Sequence, residues 1–400
     1  MFALPDGVRI LLRPDPAASG VGIALLVRTG APRTAAQAAT AAVVARGLLY
    51  GSVNASYDEF ARGMHEVGGS VRTVVGYDFA GVELLTGKSQ LPDAIYLLCE
   101  AVKNARFTNR TISRVVAAEG MPPVSPDPLG DLFRVTTDVH IDRTALAAVT
   151  PAAAELWFER RYAAARTVIC LCGDFDEAVV KGLLADRLYD FLRPAAAIPD
   201  SPASPQQTPA VRRIADHSNA SGAAATVESA ITPNCSFADL LALAALLGEG
   251  HTSRMYADIR TDKGLAYAVG ASADLPLGRP LTVWAISGVP GTSKVLGAAL
   301  RAGVSAAAAG SFTDAEVRRA CAIAMTQWYV GHQRAADHAW WLAWLEAFGG
   351  GYTMDEKIPQ ELRAITRREL ETAAQSTLVH CRVVELEPAP PAPGTDPTAP

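Results

Sequence analysis

Two stretches of the chain carry the same order of hydrophobic and polar positions. From Val82, "VELLTGKSQLPDAIYLLCEAVKNARFTNRTISRVVAAEGM" starts as a short apolar run, breaks at a polar turn, and continues with apolar residues three and four apart. That spacing predicts strand, turn and helix, followed by a second helix capped near Thr108. From Thr282, "TVWAISGVPGTSKVLGAALRAGVSAAAAGSFTDAEVRRACAIAM" repeats the order, with Phe312-Thr313 answering Phe107-Thr108. Thr313 followed three residues later by Glu316 is a capping box and places a helix start there. An order that recurs predicts an internal duplication. The fold class expected is α+β: two duplicated domains, each an antiparallel-rich β-sheet with helices packed on one face.

The pattern lapses at "RPAAAIPDSPASPQQTPAVRR", Arg193 to Arg213, where Pro, Ala, Ser and Gln replace periodic apolar residues. Such a stretch reads as a linker. A second Pro/Ala run from Glu387 reads as a disordered tail. The expected domains are therefore 1–193 and 214–386, joined by the linker 194–213 and followed by the tail 387–400.

Composition narrows the class without deciding it. The chain has 400 residues, 50% hydrophobic and 19% charged, enough for two domains with full cores. A formal net charge of -5 and the lack of any Lys/Arg run argue against a nucleic-acid binder. The N-terminus has no basic stretch leading into an apolar one, and no run reaches the roughly 18 apolar residues of a membrane span. A cytoplasmic protein with no membrane partner is the expectation. The six cysteines follow no framework spacing; Cys170 and Cys172 in "TVICLCGDF" share one side of a strand and cannot easily bridge. Buried free thiols are expected.

Candidate chemistry is sparse. "AAVVARGLLYGS", Ala41 to Ser52, precedes "YDEFARGMHEVGGSVRT" and offers no proton donor and no metal ligand, since Arg46 is a fixed cation. The second half holds "LLGEGHTSRMYADIRTDKGLAYAVGA", in which Arg260 and Tyr267 stand seven positions apart.

This last stretch, with Gly264-Leu265-Ala266-Tyr267 its most specific part, resembles the signature of the pitrilysin/insulinase zinc metallopeptidases. The resemblance extends through "LPDGVRILL", "YDEFARGMHEVGGSVRT" and "YAAARTVICLCGDFDEAVVKGLL" in the family's order, covering nearly the whole chain outside linker and tail. It implies two similar α+β domains in a clam-shell arrangement. Active members carry H-x-x-E-H before a Gly-Thr pair, where two His bind zinc and the Glu polarises its water. Aligned on Gly51-Ser52, these positions fall on Ala42, Ala45 and Arg46. A distant third ligand corresponds to Glu119, which alone cannot hold zinc. The family's second-half Arg and Tyr, which bond the substrate and the forming oxyanion, correspond to Arg260 and Tyr267.

The resemblance thus implies the two-chain bacterial type, and here its zinc-less subunit: a heterodimer whose partner brings H-x-x-E-H and the zinc, with Arg260 and Tyr267 binding a peptide substrate. No catalytic residue, metal ligand or cofactor is assigned to this chain itself. The main alternative is a catalytically dead scaffold or peptide-binding protein of the same fold; an independent hydrolase is the third.

Plainer readings accompany each residue. Arg260 can cap carbonyls or pair with Asp258 or Asp262, and a Tyr opening a strand is often core. His332 and His338, six apart, fall on different faces of one helix and form no chelate. His251 reads as a solvated loop residue. Gly248 and Gly250 resemble a phosphate-loop fragment but lack the Lys-Ser/Thr that would follow. Trp328, Trp340, Trp341 and Trp344 recur at helical spacing, suited to packing or a partner surface.

Overall fold

β3 (Val21–Arg28) and β6 (Thr167–Gly173) read as unbroken apolar runs rather than alternating ones, and the architecture explains why. A strand covered on both faces needs apolar side chains at every position. The computed structural model describes residues 1–4, 7–30, 32, 34–76, 78–119, 143–191, 211–216, 221–227, 235–273, 281–379 and 381–388. The linker 194–213 lies outside the described residues except for its last three, which open a strand. The tail 387–400 lies outside them beyond Pro388.

Elements follow one another as β1 (Phe2–Ala3), β2 (Arg9–Pro14), β3, α1 (Ala35–Gly47), α2 (Tyr57–Glu66), β4 (Ser70–Val75), β5 (Phe79–Thr86), α3 (Leu91–Asn104), α4 (Asn109–Glu119), α5 (Arg143–Ala147), α6 (Pro151–Arg161), β6 and α7 (Glu177–Leu188). After these come β7 (Val211–Asp216), β8 (Ser221–Val227), α8 (Phe237–Gly248), a π-helix (Tyr256–Asp262), β9 (Ala268–Ala273), β10 (Leu281–Ser287) and α9 (Ser293–Ala308). The chain ends with α10 (Asp314–Val330), α11 (Ala335–Phe348), α12 (Met354–Ala364), α13 (Arg367–Thr377) and β11 (Cys381–Pro388).

Two sheets result, in the orders β1-β2-β6-β3-β5-β4 and β7-β11-β8-β10-β9. In the first, β2 runs parallel to β6 with Ile10 opposite Ile169, and β6, β3, β5 and β4 are mutually antiparallel. The second repeats the scheme: β7 runs parallel to β11 with Val211 opposite Val383, and β11, β8, β10 and β9 are antiparallel. The duplication is therefore real at the level of strand order, with β1 an extra edge strand in the first copy. Thr108 Oγ1 accepts from Thr111 N–H at 3.1 Å, and Thr313 closes its capping box with Glu316 at 2.8 and 3.2 Å, so both expected helix starts form.

The described residues fall into two compact units. The first holds the six-stranded sheet, with Val21, Ile23, Leu25 and Val27 of β3 packed into one core with α1, α3 and α6. Contrary to helices on a single face, α11 covers the opposite face, against β3, β5 and β6. Its residues belong to Gln327–Lys357, which joins the first unit although the sequence places it with the second half. No linker signals this return; close approach does. A Cβ on Gly22 would fall 2.2 Å from the backbone of Ala335 and Ala336, and one on Gly81 2.7 Å from the Trp340 ring. The tryptophans expected to pack do so here, with Trp328 and Trp341 ring centroids 5.0 Å apart, Trp341 and Trp344 5.5 Å apart, and Trp340 6.1 Å from Phe79.

In the second unit α8 packs on β9 and β10, and α9 on β8, β10 and β11. Arg254 ties the segment after α8 to the start of α10: its Nε lies 2.8 Å from Glu316 Oε1, Nη2 3.2 Å from Oε2, and Nη2 also donates to the Ser311 carbonyl at 2.9 Å. The guanidinium rests 4.8 Å over the Phe312 ring. Glu316 thus serves two partners at once, the helix cap and the arginine. All six cysteines are free, and all but Cys381 are buried.

Two outcomes are expected. Gly22→Ala should lower stability by about 2 kcal/mol or more, because backbone blocks the added methyl. Gly182→Ala in α7, where the methyl meets nothing within 4 Å, should raise it by about 0.5–1 kcal/mol. Denaturant titration followed by tryptophan fluorescence compares the two, and equal effects would contradict the packing described. The Arg254 hydrogen bond, aided by Thr313 against a smaller opposing effect of burial, draws the Glu316 carboxyl down from 4.5 to about 2. A depressed carboxyl contributes stability that is complete above its unfolded value and fades as pH falls through its folded one. Stability should therefore decline as pH drops from about 4.5 toward about 2, and Arg254→Gln should flatten that part of the pH profile.

Candidate functional site

Helix α1 begins at Thr34, whose Oγ1 accepts from Gln37 N–H at 3.2 Å, and turns its middle toward the first core. Ala42 and Ala45, at 2% and 1% exposure, are methyl groups in that core, and Arg46 is half-buried. Zinc needs nitrogen, sulfur or carboxylate oxygen, and these three positions offer none, beside a cation that repels it. The positions do not fit the metal. Glu119 ends α4, and its side chain lies outside the described residues.

The turn that follows α1 has become a structural polar knot. Glu100 of α3, buried at 9% exposure, accepts from Ser52 Oγ at 2.9 Å, from Asn54 Nδ2 at 3.1 and 3.3 Å, and from Asn104 Nδ2 at 2.9 Å. Neutral donors satisfy a buried carboxylate and pin the loop to α3. Spacing alone gave no signal for it, since Glu100 sits in mid-helix 48 residues from Ser52.

In the second unit the chain builds a surface rather than a pocket. Ser236 and Asp239 form a reciprocal capping box at the start of α8, which ends at Gly248. A Cβ there would lie 2.4 Å from the Gly270–Ala271 backbone, so this glycine serves helix-to-strand contact, not phosphate binding. Gly250 adopts φ +78 in the turn, and exposed His251 meets Tyr256 edge-on, centroids 4.8 Å apart. After Arg254 comes the π-helix, a rare element found mainly as single turns, often at functional sites. Met255 and Ile259 anchor it, each at or below 1% exposure. Gly264, at φ +62, turns the chain into β9, and the Tyr267 N–H donates to Ile286 O at 2.8 Å.

This path brings Arg260 and Tyr267 together. The Arg260 guanidinium carbon lies 5.2 Å from the Tyr267 ring centroid and 4.9 Å from that of Tyr256. Tyr267 is 77% exposed and is not a core residue. Asp258 pairs with Lys263 at 2.7 Å, and among the described residues no carboxylate pairs with Arg260. The alternative of a local ion pair therefore fails. What results is a half-exposed guanidinium held between two phenol rings by cation–π attraction, worth about 0.5–1 kcal/mol at an exposed site, beside an outward-facing tyrosine. Donors of this kind suit a carbonyl or carboxylate oxygen.

His332 and His338 behave differently from the sequence expectation. They do not share a helix: His332 lies in the turn between α10 and α11, and His338 in α11. The turn resets the helical phase, so the rings meet with centroids 4.8 Å apart, and both Nε2 atoms face Asp355 of α12, at 2.8 and 3.0 Å. Among the described residues no helix is long and apolar enough to cross a membrane.

Residues 148–323, which include Arg260 and Tyr267, match the family described as the peptidase M16 inactive domain. An uncharacterized zinc protease of Mycobacterium tuberculosis is 27% identical over 296 residues, 68% of this chain and 66% of that protein. The chain thus spans about two thirds of the length of this curated relative. A protease from Helicobacter pylori superposes with a TM-score of 0.81 at 17% identity, over 97% of this chain and 98% of its own. A peptidase M16 inactive domain from Pseudomonas fluorescens gives 0.78 at 16% identity, over 97% of each chain. Residues 148–323 are thus similar to the peptidase M16 inactive domain, and the duplicated α+β fold is that of the M16-type structures.

Proposed function

We propose that the chain is the zinc-less subunit of a two-chain pitrilysin-type peptidase, and that Arg260 and Tyr267 bind the peptide substrate and stabilise its oxyanion. The observation that carries this reading is the pair itself, presented at the surface with no carboxylate among the described residues taking up the Arg260 charge. The partner is a chain bearing H-x-x-E-H, which brings the zinc and the water it activates.

The work of this chain follows from its own groups. Arg260 is an obligate cation with a planar fork of donors, matched to a peptide carbonyl or terminal carboxylate. Tyr267 offers a phenolic O–H to an oxygen whose negative charge grows during attack, and a donor that gains strength only then lowers the barrier rather than merely tightening binding. β9, which starts directly after Tyr267, is an edge strand of the five-stranded sheet. An extended peptide can add to such an edge through main-chain hydrogen bonds, leaving its carbonyls near the two side chains.

In the assembled complex, Arg260→Ala and Tyr267→Phe are each expected to lower kcat/KM for peptide cleavage about 100-fold or more. Both side chains lie off the core, so circular dichroism should show folded variants. Unchanged turnover in both would remove the substrate role and favour a scaffold of the same fold.

A further inference from the structure

His332, His338 and Asp355 take no part in the function proposed above, yet their ligand atoms all lie within 4.8 Å of one another inside the first unit. Their side chains are 10%, 15% and 9% exposed. Water has little access to them, so their polar atoms must satisfy one another or something else.

The protonation pattern is informative. His332 Nδ1 contacts the Trp328 carbonyl oxygen, which can only accept, so Nδ1 carries the proton. In neutral imidazole this leaves Nε2 with a lone pair, the arrangement by which a backbone carbonyl orients a metal-binding histidine. That Nε2 lies 2.8 Å from Asp355 Oδ1, but the two are not aligned for a hydrogen bond, and neither atom has another hydrogen-bond partner among the described residues. Two buried polar atoms that face each other obliquely and have no hydrogen-bond partner among the described residues are accommodated by a cation that both can reach.

Other features fit the same reading. The His332 ring is fixed between Trp328 and Trp341, with centroids 4.5 and 5.8 Å away. His338 Nε2 lies 3.0 Å from Asp355 Oδ2. Donors bonded to a tetrahedral ion at roughly 2.0–2.2 Å stand about 3.3 Å apart, against 2.8 and 3.0 Å for the two His–Asp355 contacts and up to 4.8 Å across the cluster, so an ion would widen those contacts and draw the farther donors together. Asp355 also lines a cavity of about 310 Å³ with Leu11, Arg13, Tyr352 and Glu356, which gives an ion a way in. One contact opposes a cation: Arg13 Nη1 lies 3.4 Å from Asp355 Oδ2, a long contact from a side chain 49% exposed that has room to turn outward.

We propose that His332 Nε2, His338 Nε2 and the Asp355 carboxylate bind a divalent transition-metal ion of the zinc class, at a place separate from the emptied positions of α1. Two imidazoles and one carboxylate are a ligand set that zinc accepts, with a fourth position left for water.

The test uses the full chain, free of any affinity tag and stripped with chelator, titrated with Zn²⁺ by calorimetry and with Co²⁺ by absorption and tryptophan fluorescence. One equivalent of Zn²⁺ should bind, and Co²⁺ should quench fluorescence through its closeness to Trp328 and Trp341, with Zn²⁺ reversing the quenching. Asp355→Asn and His338→Gln should each weaken binding about 100-fold or more. Arg13→Gln should tighten it by removing a like charge. Absence of stoichiometric binding at micromolar metal, or binding unchanged in both ligand variants, would overturn the site. Should those variants fail to fold, the wild-type chain still decides: Co²⁺ quenching that Zn²⁺ does not reverse overturns it.

Discussion

The contact between α11 and the first sheet is the constraint on which most of the first unit rests. Gly22 of β3 and Gly81 of β5 present no side chain to the helix, and any Cβ at either place would collide with it. The helix therefore lies directly on the strands, which makes β3 and β6 interior on both faces and lets them be apolar throughout. Because α11 comes from the chain's second half, the same contact draws Gln327–Lys357 into the first unit. The stacked tryptophans follow from it, and so does the meeting of His332, His338 and Asp355, three residues that no local periodicity would bring together.

The two helices that open the duplicated units have taken opposite courses. In α1 the positions that the resemblance aligns with the zinc ligands and the catalytic Glu are Ala42, Ala45 and Arg46, and the two alanine methyl groups contribute to packing. After α8 the chain has kept a rigid presentation of polar groups. Gly248 sets the helix against β9, Arg254 clamps the turn to Glu316, and a π-helix places Arg260 against two tyrosines. A surface that holds a guanidinium in a fixed attitude pays its ordering entropy in folding, leaving less to lose when a substrate arrives.

Local signals were legible and non-local ones were not. The recurring strand, helix, helix order, the Thr313–Glu316 capping box and the emptied helix could all be read from neighbouring residues, because propensity and capping act over a few positions. The Arg260–Tyr267 pair was legible for a similar reason, as both lie in one short motif. What escaped was set by tertiary contact. A Pro-rich stretch carries no sign of where a later segment returns to pack, so the sequence alone groups Gln327–Lys357 with the second half. The spacing of His332 and His338 excludes a chelate only if both ride one helix, and the turn ending α10 breaks that assumption. Glu100 and its ring of amide and hydroxyl donors depend on a loop folding back to α3, which no spacing rule encodes.

The central claim is that this chain supplies the Arg/Tyr half of a peptidase whose zinc lies elsewhere. The most direct measurement is to isolate the chain gently from its native host and weigh the intact assembly by native mass spectrometry, with its metal content and peptidase activity determined on the same sample. The account predicts a stoichiometric second chain bearing H-x-x-E-H, with zinc bound to that chain and cleavage only when both are present. Recovery of the chain alone, or within a larger assembly that cleaves no peptide, would contradict it.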